Sequence, residues 1–158
     1  MATNGWGDAS AILAEAGVPE DASYYRQFTA PDEKAALTVA MRIQAAWAAN
    51  DANIFAGIFT ADGSLLMRDT QLVGREEIRS YMAEGFAGRL RNARVKGWPI
   101  AVRFLTGDVA MVVTEGGIVL PHDADLLPGN LIRATWIIVR RPDGPPCLVS
   151  HHSSPVKG

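Results

Sequence analysis

Glu115, Arg133, Thr135 and the neighbouring His151 and His152 form a candidate row of acid, guanidinium, hydroxyl and imidazole groups in this chain. In "VAMVVTEGG", Glu115 shares its alternate-residue face with Val109, Met111 and Val113. An acid on such a face is costly unless something pairs with it. With the loop "PHDADLLPGN" centred near Asp125, Gly117 falls opposite Arg133 and Glu115 opposite Thr135. Glu115 and Arg133 then become diagonal neighbours, within reach of long side chains. The turn at Asp143 and Gly144 brings "SHHSS" alongside and sets His151 or His152 next to Thr135. We expect this row on the concave face of a sheet, with Glu115, Arg133 and His151 as the catalytic group. A carboxylate or an imidazole in an apolar hollow can take a proton from carbon next to a carbonyl, and a guanidinium can hold the resulting enolate. The structural alternative is a Glu115–Arg133 ion pair with a solvated histidine.

Around this row, Trp47, Met67, Tyr81, Trp98, Thr135 and Trp136 are the expected substrate-binding residues, although each tryptophan also suits a core position and Tyr81 an exposed helical one. Asp51 and Asp62 flank the run "ANIFAGIFTA" and read as punctuation. The first caps a helix, a contribution on the order of 1 kcal/mol, and the second turns the chain with Gly63. His122 and Asp123, even with His151 and His152, lack the spacing of a zinc or facial-triad site, so no metal is expected. No glycine-rich phosphate loop appears, and no cofactor is expected.

The elements that must position these side chains can be read from periodicity. Residues 1–30 form an extension with one short helical candidate, "ASAILAEAG", ended by Gly17 and Pro19. The rest, residues 31–158, reads as one domain. "TAPDEKAALTVAMRIQAAWAAN" carries a helical apolar stripe, with Thr29 as its cap, Pro31 near the first turn and Asp32 and Glu33 at its positive end. "ANIFAGIF" is a short second helix with a stripe of Ile54, Phe55, Ile58 and Phe59. "ADG" then leads into a strand at "SLLM", and "GREEIRSYMAEGFAG" is a third amphipathic helix closed by Gly85 or Gly88. Beyond residue 93 the period changes to two. "WPIAVRFL", "VAMVVTEGGIVL", "LIRATWIIVRR" and "CLVSHHS" read as four long strands joined by turns at "TGD" and "RPDGPP" and by one longer, mobile loop. Three helices followed by an antiparallel meander imply an α+β domain with the sheet curled around the helices.

The totals agree with a folded domain and exclude several functions. A chain of 158 residues with 48% hydrophobic content can bury roughly 70% of its unfolded surface. Fifteen basic against seventeen acidic residues give a net charge of −2, without the basic stripe of a nucleic-acid groove, so nucleic acid is not an expected partner. The single Cys147 rules out an intrachain disulfide. Neither a signal segment nor an apolar run of roughly 18 residues is present, so we expect a cytoplasmic protein without a membrane partner.

The succession "AAWAANDANIFAGIFTADG", "LVGREEIRSYM", "VRFLTGDVAMVVTEGG" and "ATWIIVRRPDG" resembles the SnoaL-like branch of the nuclear-transport-factor superfamily, over residues 33–155. Within it, the chain is most similar to the SgcJ/EcaC type of enediyne polyketide biosynthesis proteins. The resemblance implies a cone, in which a bent sheet wraps over helices with a pocket at the open end, and a homodimer through the outer sheet face. It also implies a hydrophobic, polyketide-like small-molecule ligand and a polyketide synthase as partner. Ketosteroid isomerases, which are similar in layout, place a tyrosine and an aspartate where this chain has Ile43 and Met67, neither of which can move a proton. Arg68 and Asp69 follow directly. Three functions remain open: an isomerase- or cyclase-like enzyme acting on a polyene or keto intermediate, a non-catalytic binder or self-resistance protein, and a dimeric scaffold.

Overall fold

A computed structural model of the chain describes residues 5–67 and 69–156. Among these residues four α-helices are seen: α1 (Ala9–Ala16), α2 (Pro31–Ala49), α3 (Ala52–Gly57) and α4 (Arg75–Ala87). The strands are β1 (Phe59–Met67), β2 (Thr70–Val73), β3 (Arg94–Phe104), β4 (Val109–Val119), β5 (Ile132–Arg141) and β6 (Gly144–Pro155). They form one sheet in the order β2-β1-β6-β5-β4-β3. The expected meander is β3 to β6, antiparallel throughout. β1 joins it by pairing parallel to β6, and the short β2, which periodicity does not reveal, closes that edge. This is the α+β architecture read from the sequence.

Local chemistry explains the helix boundaries. Ala30, rather than Thr29, holds the N-cap position of α2, and Glu33 Oε1 accepts from the Ala30 N–H at 3.2 Å. The helix stops at Asn50, which adopts a left-handed conformation with φ 51°. Asp51 then caps α3 by accepting from the Ile54 N–H at 3.0 Å. Asp62 lies inside β1, which starts five residues before "SLLM", and its carboxylate accepts from the Thr60 hydroxyl. In α3 the expected stripe is narrower: Phe55 is buried, whereas Ile54 is exposed. α4 buries Ile78, Met82 and Phe86 at four-residue spacing and ends at Gly88.

The core lies between the concave sheet face and the helices. Trp47 meets Phe86 and Phe55 edge-on, with ring centroids 5.3 and 6.4 Å apart. The N-terminal segment contributes to this core. Trp6, Leu13, Tyr24 and Tyr25 are buried in it, and Trp6 Nε1 donates to the Gly107 carbonyl at 3.1 Å.

The concave face of β4 carries Ala110, Val112, Thr114 and Gly116, all buried, and so is lined by small side chains. The alternate residues Val109, Met111, Val113 and Glu115 face outward and are only half buried. Gly116 pairs with Gly97 of β3, and a Cβ at Gly116 would run into the Lys96 carbonyl and the Gly97 Cα. Gly116→Ala is therefore expected to lower stability by about 3 kcal/mol in urea unfolding. Gly107→Ala, at a turn with open space around it, should be close to neutral; equal stability of the two variants would refute this account of the bend.

Candidate functional site

The bent sheet and the helices enclose a cavity of about 1040 Å³. Its apolar wall is drawn from every layer and includes Ile43 and Trp47 of α2, Phe55 of α3, Leu65 of β1, Trp136 of β5 and Leu148 of β6. Mostly apolar walls with a few placed polar groups are the usual composition of a small-molecule site.

His151 is one of those polar groups. Strand pairing sets it opposite Trp136 and beside Leu65. Its ring meets the Trp136 indole edge-on, with centroids 4.5 Å apart. The indole is itself pinned, since Nε1 donates to Thr114 Oγ1 at 2.8 Å in a buried hydrogen bond. His151 Nδ1 is buried and has no hydrogen-bond partner among the described residues. Removal from water disfavours the imidazolium and brings the pKa from 6.5 down to about 4, against a backbone hydrogen bond that favours the charged form and with a small further push from His152. At neutral pH the ring is uncharged, with one nitrogen able to donate and one able to accept.

The expected catalytic row is corrected by this arrangement. Glu115 pairs directly with Arg133, two positions from the expected register, because the loop between β4 and β5 is centred one residue earlier. Glu115 is among the residues bordering the cavity, but alternation turns its carboxylate to the outer face, where Oε2 accepts from Arg133 Nη2 at 2.5 Å. Thr135 and His152 pair with each other on that outer face. His151 alone of the row turns inward. The physical reason is that both faces of β4 are apolar, and the inner one is the face with the smaller side chains.

Among the expected substrate-binding residues, Trp47, Met67 and Trp136 border the cavity. Tyr81, Trp98 and Thr135 do not. The Tyr81 hydroxyl lies 3.4 Å from Arg89 Nη2, and the Arg26 guanidinium sits 5.6 Å from the centre of the Trp98 ring. Ile43 and Met67 both border the cavity, so the two positions aligned with the ketosteroid isomerase pair are apolar. Asp69 is exposed and also borders it, and Arg68 lies outside the described residues. Tyr24 and Gln44 are bordering polar residues that the sequence reading passes over. The aromatic run "ASYYRQF" was the one available signal for Tyr24.

The long loop is more tied than expected. Lys96 Nζ meets Asp125 Oδ1 at 2.8 Å, the same carboxylate accepts from the Leu126 N–H, and Val156 N–H donates to the Leu131 carbonyl. His122 and Gly129 to Leu131 bring this loop to the cavity. No three His, Cys, Asp or Glu side chains converge as a metal site among the described residues.

The depressed pKa of His151 has a definite sign in stability. Unfolded, the ring protonates near 6.5, and folded only near 4. The unfolded chain therefore binds the extra proton between those values. The stabilisation is full above pH 6.5 and is lost as pH falls toward 4, amounting to about 3 kcal/mol. Thermal unfolding followed from about pH 7 to pH 4 should show a shallower acid loss for His151→Phe than for the wild type. Parallel pH profiles would contradict it.

Residues 37–157 match the sequence profile of the SnoaL-like domain family. No curated protein sequence matches the chain significantly. Its fold is similar to a domain with a cystatin-like fold from Nostoc punctiforme, at TM-score 0.73 and 19% identity, covering 82% of this chain and 80% of that one. It is also similar to a ketosteroid isomerase-like protein from Erwinia carotovora atroseptica, at TM-score 0.60 and 16% identity, covering 78% and 95%. A third similar structure, at TM-score 0.58 and 26% identity and covering 76% and 92%, is an NTF2-like family protein from Streptomyces avermitilis for which a dehydratase role has been suggested. With the bent sheet over helices, the cavity at its centre and a profile match across most of its length, the chain belongs to the SnoaL-like domain family.

Proposed function

We propose that this chain binds a hydrophobic, polyketide-like small molecule in its central cavity, and that it serves enediyne-type polyketide biosynthesis as a member of the SgcJ/EcaC group. The observation that carries this reading is the apolar 1040 Å³ cavity with a neutral imidazole in its wall. The space suits a drug-sized or larger ligand, and the aromatic edges of Trp47 and Trp136 suit a flat conjugated one. The sequence motifs support the enediyne assignment.

A second reading, an isomerase- or cyclase-like enzyme, is favoured by the unpartnered Nδ1 of His151. In it the imidazole would take a proton from carbon next to a ligand carbonyl and return it to another carbon of the conjugated system. A base whose conjugate acid has a pKa near 4 is a weak one for that task at neutral pH. Binding, with His151 as a hydrogen-bond partner, is therefore the stronger reading. The solved structures similar to an isomerase and to a suggested dehydratase keep the enzymatic one in view. Glu115 and Arg133 have no part in either reading. As an exposed pair they are worth at most about 1 kcal/mol.

A linear conjugated polyene titrated into the protein should quench tryptophan emission, since Trp47 and Trp136 border the cavity. Quenching should persist in Glu115→Gln and Arg133→Met. Failure of any polyene or polyketide extract to quench would refute the binding proposal. A change in the polyene absorption spectrum with time, lost in His151→Phe while quenching remains, would establish the enzymatic reading instead.

We further propose a homodimer through the outer face of the sheet, where Met111, Val113 and Ile137 stand only half buried. Sedimentation velocity should give about twice the 17.0 kDa chain mass, and Ile137→Glu should return the protein to a monomer. A wild-type monomer at high concentration would rule this out.

A further inference from the structure

The N-terminal segment brings two adjacent tyrosines into the core, and their hydroxyls are treated differently. Tyr25 Oη donates to Glu20 Oε2 at 2.7 Å, so its polar end is satisfied inside the protein. Tyr24 is equally well buried and borders the cavity, yet its hydroxyl has no hydrogen-bond partner among the described residues. A cavity-lining phenol without a protein partner has its hydrogen-bonding capacity free for a ligand. Phenylalanine would fill the same space without that capacity. Burial also raises the phenol pKa well above its usual value, so the hydroxyl keeps its proton and acts as a donor. The segment that supplies it lies upstream of residues 37–157, the part of the chain that matches the family.

Resting on the binding reading above, we propose that Tyr24 is a ligand-recognition residue added to the family's cavity by the N-terminal segment, and that its hydroxyl donates a hydrogen bond to a carbonyl oxygen of the bound molecule. The ligand class is thereby narrowed from hydrophobic molecules in general to those carrying a ketone or quinone oxygen on an otherwise apolar frame. His151, with its neutral ring, borders the same cavity.

The test uses two probes that differ only at the oxygen, 1-tetralone and tetralin, titrated into the full-length protein and into Tyr24→Phe. The ratio of their affinities should shift against 1-tetralone by about three- to tenfold in the variant, with tetralin binding unchanged. The carbonyl stretch of bound 1-tetralone should lie at lower frequency in the wild type than in the variant, a readout that a purely structural role for Tyr24 would not move. An unchanged ratio and an unshifted stretch, with both probes still bound, would overturn the role of Tyr24 and leave the binding reading intact. Binding of neither probe to the wild type would overturn both.

Discussion

The curvature of the sheet depends on how closely β3 and β4 approach on their concave side. At Gly116 there is no room for even one Cβ, since the Lys96 carbonyl occupies the place, and at Gly97 a Cβ would press on the Glu115 carbonyl. Small side chains at Ala110 and Thr114 continue that lining along β4. A sheet built in this way can bend over α2 without its own side chains filling the hollow. The empty volume at the centre is then a consequence of steric size, and the large apolar residues Met111 and Val113 are displaced to the outside. The cavity and the apolar outer face therefore share one origin.

Within the hollow, desolvation decides which groups can act. His151 is surrounded by protein on the Trp136 and Leu65 sides, and the loss of water weakens it as a base while preserving it as a neutral hydrogen-bond partner. The ion pair of Glu115 and Arg133 stays in contact with water, where its charges are screened and its energy is small. His151, whose buried Nδ1 has no partner, and Tyr24, whose hydroxyl bonds to no described residue, both border one apolar space. Buried polar groups are almost always paired, so the unpaired Nδ1 of His151 is a cost that a bound polar ligand would remove. Apolar residues at Ile43 and Met67 mean that this cavity does not carry a tyrosine–aspartate pair at the positions aligned with the isomerases.

Much of the architecture was legible in the chain itself. Helix caps and stops at Asp51, Asn50 and Gly88, the stripe of α4 and the four long strands of the meander are local features, governed by residues within a turn or a hairpin of one another. β2 and the parallel pairing of β1 with β6 were not legible, since a four-residue strand has too few alternations to stand out and a parallel partner lies far away in sequence. The pairing of Glu115 with Arg133 could be approached from strand order, and its error of two positions came from a single residue in the loop centre.

The α+β class, the order of elements and the presence of an acid–guanidinium pair on neighbouring strands are written in the residue pattern, because these follow from periodicity and short-range turns. Tertiary structure decided which face of the sheet is the inside. Period-two alternation separates two faces but is silent on their roles when both are apolar, as on β4, where the larger apolar side chains are on the outer face. It also decided that a segment upstream of the family domain reaches the cavity, since Tyr24 gains that position only when the chain folds back over residues distant in sequence.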